Sequence, residues 1–141
     1  MPVRTSEAEW KGDLRSGTGT VRLGSGAFEG RYSFPSRFES GQGTNPEELI
    51  GAAHAGCFSM ALSSNLGKAG FSPLEVHTTA HVKIELVDGK NRITLIRLET
   101  EAKVPGIENA QFQEIAESVK QGCPVSVALS AVPTELVAKL V

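Results

Sequence analysis

No stretch of this chain approaches the ~18 consecutive apolar residues of a membrane-crossing helix. Met1-Pro2-Val3-Arg4-Thr5-Ser6-Glu7 leads into no apolar run of signal-peptide length. A cytoplasmic location without a membrane partner is therefore expected. An excess of charge of either sign is missing too: the formal net charge is −2, with neither a basic patch nor an acidic tail, which gives no reason to expect nucleic acid as partner. Cysteine is scarce. Two cysteines, Cys57 and Cys123, are too few for a secreted disulfide scaffold. In a reducing compartment a cysteine is more often buried, metal-bound or catalytic, and only catalysis would use both. The recurrent Cys/His spacing of a structural zinc site is not assembled, although His77 and His81 share a strand face and His54 precedes Cys57 by one helical turn. No Gly-x-Gly-x-x-Gly links a strand to a helix, so no nucleotide cradle and no cofactor are expected. Internal repeats and low-complexity segments are absent.

What is present fits one globular domain spanning residues 1–141. With 40% hydrophobic residues, a chain of this length buries roughly two thirds of its unfolded surface. Its organising stretch runs from Thr44 to Leu62. Asn45 is the expected N-cap, Pro46 occupies the first helical position, and Glu48 at N3 completes a capping-box-like start, with Glu47 and Glu48 complementing the helix dipole. From Gly51 to Ala61 the segment is rich in Gly and Ala and carries no formal charge unless His54 is protonated, so a central helix buried all round is expected. Gly70 and Pro73 mark its end. Phe58 and Met60 would form an apolar wall beside Cys57.

Upstream, alternation and glycine punctuation predict a meander of short antiparallel strands. These are residues 5–11, with Trp10 as a core anchor, then 19–23, then 32–38, where Pro35 argues for an edge or a bulge. Downstream, residues 75–87 and 92–104 flank the turn signal Asp88-Gly89-Lys90-Asn91 and read as a long hairpin, neither face of which is cleanly polar, so that both are expected to be partly covered. Asn109 caps an amphipathic helix through Lys120 with Phe112, Ile115, Ala116 and Val119 on one face. Gly122 closes it, and Cys123 is the expected N-cap of a short helix beginning at Pro124, where peptide dipoles favour a thiolate. The tail from Val132 fits a strand or a helix. The fold class is α+β.

Taken alone, Cys57 is as compatible with an inert core thiol as with a nucleophile, since burial raises a thiol pKa unless a cation stands nearby. His54 and Arg37 are candidates for that cation. Glu47 lies ten residues before Cys57, about 15 Å along a straight helix, too far to reach the sulfur. Spacing by itself leaves both glutamates as stabilisers of the helix start. A Cys57–His54 hydrolase lacks an orienting third group.

The run Gly43-Thr44-Asn45-Pro46-Glu47-Glu48-Leu49-Ile50-Gly51-Ala52-Ala53-His54-Ala55-Gly56-Cys57-Phe58-Ser59-Met60-Ala61-Leu62, together with Val104-Pro105-Gly106-Ile107 and Gly122-Cys123-Pro124-Val125-Ser126, resembles the OsmC branch of the OsmC/Ohr family. The likeness extends through Trp10-Lys11-Gly12-Asp13 and Arg37-Phe38-Glu39. It implies a bacterial thiol peroxidase that reduces organic hydroperoxides, an intertwined homodimer of α+β subunits with central helices back to back, and a dithiol reductant of lipoyl or similar type. By the same resemblance Cys57 matches the peroxidatic cysteine, Cys123 the resolving cysteine, Arg37 the arginine beside the thiolate, and Glu47 the acid that grips that arginine with a bidentate pair. The competing reading is a non-catalytic dimeric binding module for apolar ligands, in which the cysteines only pack.

Overall fold

The computed structural model describes residues 1–141 as two compact units, Met1–Leu49 and Ile50–Val141. The first holds an antiparallel meander, β1 (Ser6–Lys11), β2 (Thr18–Leu23) and β3 (Glu29–Tyr32), in the order β1-β2-β3. Trp10 is opposite Gly19, and Gly19 is opposite Tyr32. The two aromatic rings meet over that glycine with centroids 5.3 Å apart. A Cβ at Gly19 would lie 2.4 Å from the Tyr32 ring, so the contact requires glycine in the middle strand. Trp10 is thus half-buried on a small sheet rather than an anchor of the main core, and its Nε1 donates to the carbonyls of Gly12 and Asp13.

The expected third strand through residue 38 is corrected. The strand stops at Tyr32, and Phe34–Phe38 form a single helical turn, α1. Ser33 and Ser36 decide this. The Ser36 N–H donates to Ser33 Oγ and the Ser33 N–H to Ser36 Oγ, a reciprocal cap, while Pro35 in the first turn has no N–H to waste. Arg37 therefore projects from a helix.

Helix α2 (Pro46–Lys68) starts as its residues dictate, with the Glu48 N–H donating to Asn45 Oδ1 at 2.7 Å. It ends in a Schellman arrangement: Phe71 N–H bonds Leu66 C=O, Gly70 N–H bonds Gly67 C=O, and Gly70 takes φ +94°. A break at Gly51, which would be needed to bring Glu47 near Cys57, does not occur. Nor is the helix buried all round within a single chain, because only one stripe is covered: Glu47, Gly51, His54, Phe58, Leu62 and Leu66. Ala52, Ala53, Gly56, Met60, Ser63 and Ser64 are exposed. The expected apolar wall is split accordingly, with Phe58 at 0% and Met60 at 78% exposure on different sides of the helix.

In the second unit β4 (Glu75–Val87) and β5 (Lys90–Lys103) pair through a two-residue turn, Asp88-Gly89, both at positive φ as a type I′ hairpin demands. The tail is β6 (Thr134–Leu140), parallel to β5, giving the order β4-β5-β6. One face of this sheet is covered and the other is not, contrary to the expectation that both would be. Ile96, Leu98, Thr100 and Ala102 are buried, whereas Arg97, Glu101 and Lys103 are exposed. The core joins Phe58, Leu62 and Leu66 to Ile96, Leu98 and Ala102, and to Phe112, Ala116 and Val119 of α3 (Asn109–Gly122). Glu108, not Asn109, is the N-cap of α3, and no side chain caps it. Under α2, Ser59 donates to Thr78 and Thr78 shares a hydrogen bond with Thr100, so these hydroxyls are satisfied. No helix is long and apolar enough to cross a membrane.

Replacing Phe58 with Ala should lower unfolding free energy by about 3–5 kcal/mol in urea titrations. Leu86→Ala, at the exposed hairpin tip, should change it by less than about 0.5 kcal/mol.

Candidate active site

In the first unit, α1 presents Arg37 and the first turn of α2 presents Glu47. Arg37 Nε and Nη2 donate to the same carboxylate oxygen, Glu47 Oε1, at 3.1 and 2.8 Å. A fork matched to both oxygens was expected. Instead two N–H groups converge on one, and Oε2 is buried without a partner. Glu47 is 5% exposed, so this is a desolvated acid whose charge is answered by one guanidinium. Glu48 has the humbler task of accepting the Thr44 hydroxyl at the helix start. The Arg37 guanidinium lies 5.2 Å from the Phe38 ring centroid, and Phe38 packs on Phe34 at 5.0 Å.

In the second unit Cys57 is half-buried at mid-α2. Cys123 is 2% exposed and caps α4 (Pro124–Ala128), accepting the Ser126 N–H at 3.4 Å. The two thiols are neighbours. Burial pushes the Cys57 thiol above its ordinary value; the Val125 N–H draws it down, and the hydrogen bond and charge of Cys123 push it up further. An ionised Cys57 was expected, yet its own unit favours the protonated form. His54 does not supply the missing cation either. It is fully buried, and burial lowers its pKa below 6.5. Its Nε2 bonds Ser126 Oγ at 2.7 Å and its Nδ1 bonds nothing, which removes the Cys57–His54 dyad. Ser126 Oγ in turn accepts from the Cys123 thiol at 3.0 Å.

Ser126 was not singled out from sequence. The available signal was its place three residues after an N-cap cysteine, where a short helix returns the side chain toward the cap. His77 and His81 stand on the exposed sheet face, His81 Nε2 3.5 Å from Glu99 Oε2.

The family model described as OsmC-like protein matches residues 39–137. The chain belongs to this family. Peroxiredoxin OsmC of Escherichia coli (strain K12) is 51% identical to this OsmC-like chain over 129 residues, 91% of this chain and 90% of that protein. The organic hydroperoxide resistance protein of Xanthomonas axonopodis pv. citri (strain 306) is 31% identical over 103 residues, 71% and 70% of the two. Among solved structures, the organic hydroperoxide resistance protein OhrB of Bacillus subtilis shares the fold, with a TM-score of 0.73 at 20% identity over 97% of this chain and 98% of that one. The mixed α+β architecture with two small sheets is that of OsmC and Ohr proteins.

Because the folded OsmC-like chain holds His54 neutral, it binds fewer protons than the unfolded chain just below pH 6.5. The stability so gained is complete above 6.5 and is lost as pH falls through the lowered folded value. Urea midpoints measured across that window should fall with acidification, and His54→Gln should flatten the dependence.

Proposed function

We propose that this chain is a two-cysteine peroxidase that reduces organic hydroperoxides to alcohols in defence against oxidative stress, working in the cytoplasm as one OsmC-like domain in a homodimer. The observation that carries this reading is the neighbourhood of its two free thiols, 66 positions apart in sequence, one half-buried and one buried. The names of its relatives, peroxiredoxin and organic hydroperoxide resistance protein, agree with it.

Ionised Cys57 attacks the distal peroxide oxygen, releasing an alcohol and becoming a sulfenic acid. Cys123 condenses with that acid to a disulfide, and water leaves. A dithiol, for which a lipoyl group has suitable chemistry, restores both thiols by exchange. Arg37 supplies the positive charge that Cys57 lacks within its own unit, lowering the thiol pKa and offering N–H donors to the peroxide as the leaving alkoxide gains charge. Glu47 holds the guanidinium in place and takes no proton. Phe38, packed against that arginine, and Phe34, packed on Phe38, favour an alkyl substituent over a bare hydrogen peroxide. The exposed small-residue face of α2 supports a second copy packing there, since it admits close approach of another helix.

Steady-state assay against a panel of hydroperoxides and dithiols tests the reading. Cys57→Ser should abolish turnover. Cys123→Ser should give one fast turnover and then stall, and sustained turnover without added small thiol would contradict a resolving role. Glu47→Gln and Arg37→Met should lower kcat/KM about ten- to a hundred-fold, the value of a charged hydrogen bond of ~1.5–3 kcal/mol. Equal efficiency with hydrogen peroxide and alkyl hydroperoxides would remove the proposed preference.

A further inference from the structure

We propose that His54 and Ser126 form a proton relay for Cys123, with Ser126 Oγ passing the thiol proton to His54 Nε2 as the sulfur attacks Cys57. The inference rests on the peroxidase reading for its biological step, though not for its chemistry.

The geometry is a continuous chain of hydrogen bonds. Cys123 Sγ lies 3.0 Å from Ser126 Oγ, and Ser126 Oγ lies 2.7 Å from His54 Nε2. All three residues are at most 8% exposed, so bulk water is a poor alternative acceptor for the proton that Cys123 must shed before it becomes a nucleophile. The chain works in both senses. While the sulfur is protonated, S–H donates to Oγ and the serine proton points at Nε2. Once the sulfur is ionised, Nε2–H donates to Oγ and Oγ–H to the sulfur, and the Ser126 N–H adds a second donor. His54 Nδ1 is buried without a partner, a cost that a residue kept for packing would shed by becoming apolar. Burial also keeps the ring neutral, so it enters the step able to accept.

The step balances. The Cys123 thiol loses its proton to His54 through Ser126, and the resulting thiolate attacks the sulfur of the Cys57 sulfenic acid. The S–S bond forms as the S–O bond breaks. Cys123 is oxidised and the Cys57 sulfur reduced. The departing hydroxide, with the proton held by His54, becomes water. Ser126 and His54 touch the attacking thiol directly or through one hydroxyl, and neither is consumed.

The resolving attack can be isolated from peroxide chemistry. Dithiobis(nitrobenzoate) meets the accessible Cys57 first, releasing one nitrothiobenzoate. Attack by Cys123 on the mixed disulfide then releases a second and closes the Cys57–Cys123 bond. Stopped-flow absorbance of that second release should slow by at least about ten-fold in Ser126→Ala and in His54→Gln, and return toward the wild-type rate in Ser126→Thr, which keeps the hydroxyl. A parallel single-turnover experiment with cumene hydroperoxide should show the same order in the disulfide-forming phase. Wild-type rates of second release in both Ser126→Ala and His54→Gln would overturn the relay. If Cys57 failed to react with any hydroperoxide, the peroxidase reading would fall, while the exchange experiment would still judge the relay.

Discussion

The rotation of α2 about its own axis is the constraint on which the sulfur chemistry depends. Phe58, Leu62 and Leu66 are completely buried against β5 and α3, each contributing about 1.5–3 kcal/mol of apolar transfer. No single thiol contact competes with that sum, so the apolar stripe decides which way the helix faces. Cys57 precedes Phe58 by one residue and is turned ~100° from it. That places the sulfur at the margin of the stripe, sheltered enough to sit beside Cys123 and open enough to be reached. His54, three residues before Cys57, falls within the stripe and is sealed. One rotation thus produces an accessible sulfur and an inaccessible imidazole from neighbours on the same helix.

Much of this was legible in the residues, and the failures have local causes. The caps of α2 and the Asp88-Gly89 turn are written in short-range chemistry, so their positions could be read directly. The turn at Ser33 was misread because Tyr32, Phe34 and Phe38 suggest strand-like alternation, while a Ser33/Ser36 reciprocal cap lacks the glutamate that usually advertises a helix start. Within a single chain only one stripe of α2 is covered, because a Gly/Ala-rich sequence announces close approach without saying what approaches. The cysteines were readable as a candidate pair only through the resemblance of two long motifs. The link from Ser126 to His54, 72 positions apart, follows from packing and left no periodic trace.

Two buried side-chain atoms have no hydrogen-bond partner, Glu47 Oε2 and His54 Nδ1. Polar groups in protein interiors are normally paired, and departures tend to gather where a structure gives up stability for chemistry. Glu47 holds Arg37 in the first unit, and His54 is joined through Ser126 to Cys123 in the second. The economy elsewhere is complete by comparison: Ser36, Thr44, Thr100 and Ser126 are buried, and each has a partner for its hydroxyl or carbonyl.

The 66-position spacing of the sulfurs carries a thermodynamic weight of its own. A bridge between Cys57 and Cys123 would close a loop of that length and strip the unfolded chain of conformational entropy worth about 4 kcal/mol. Thermodynamic linkage then requires the folded scaffold to resist reopening by the same amount, which lowers the reduction potential by roughly 90 mV. A reductant that opens such a bond in the folded protein must therefore be strongly reducing or cyclise as it reacts, so that its own ring closure offsets the opening of this one.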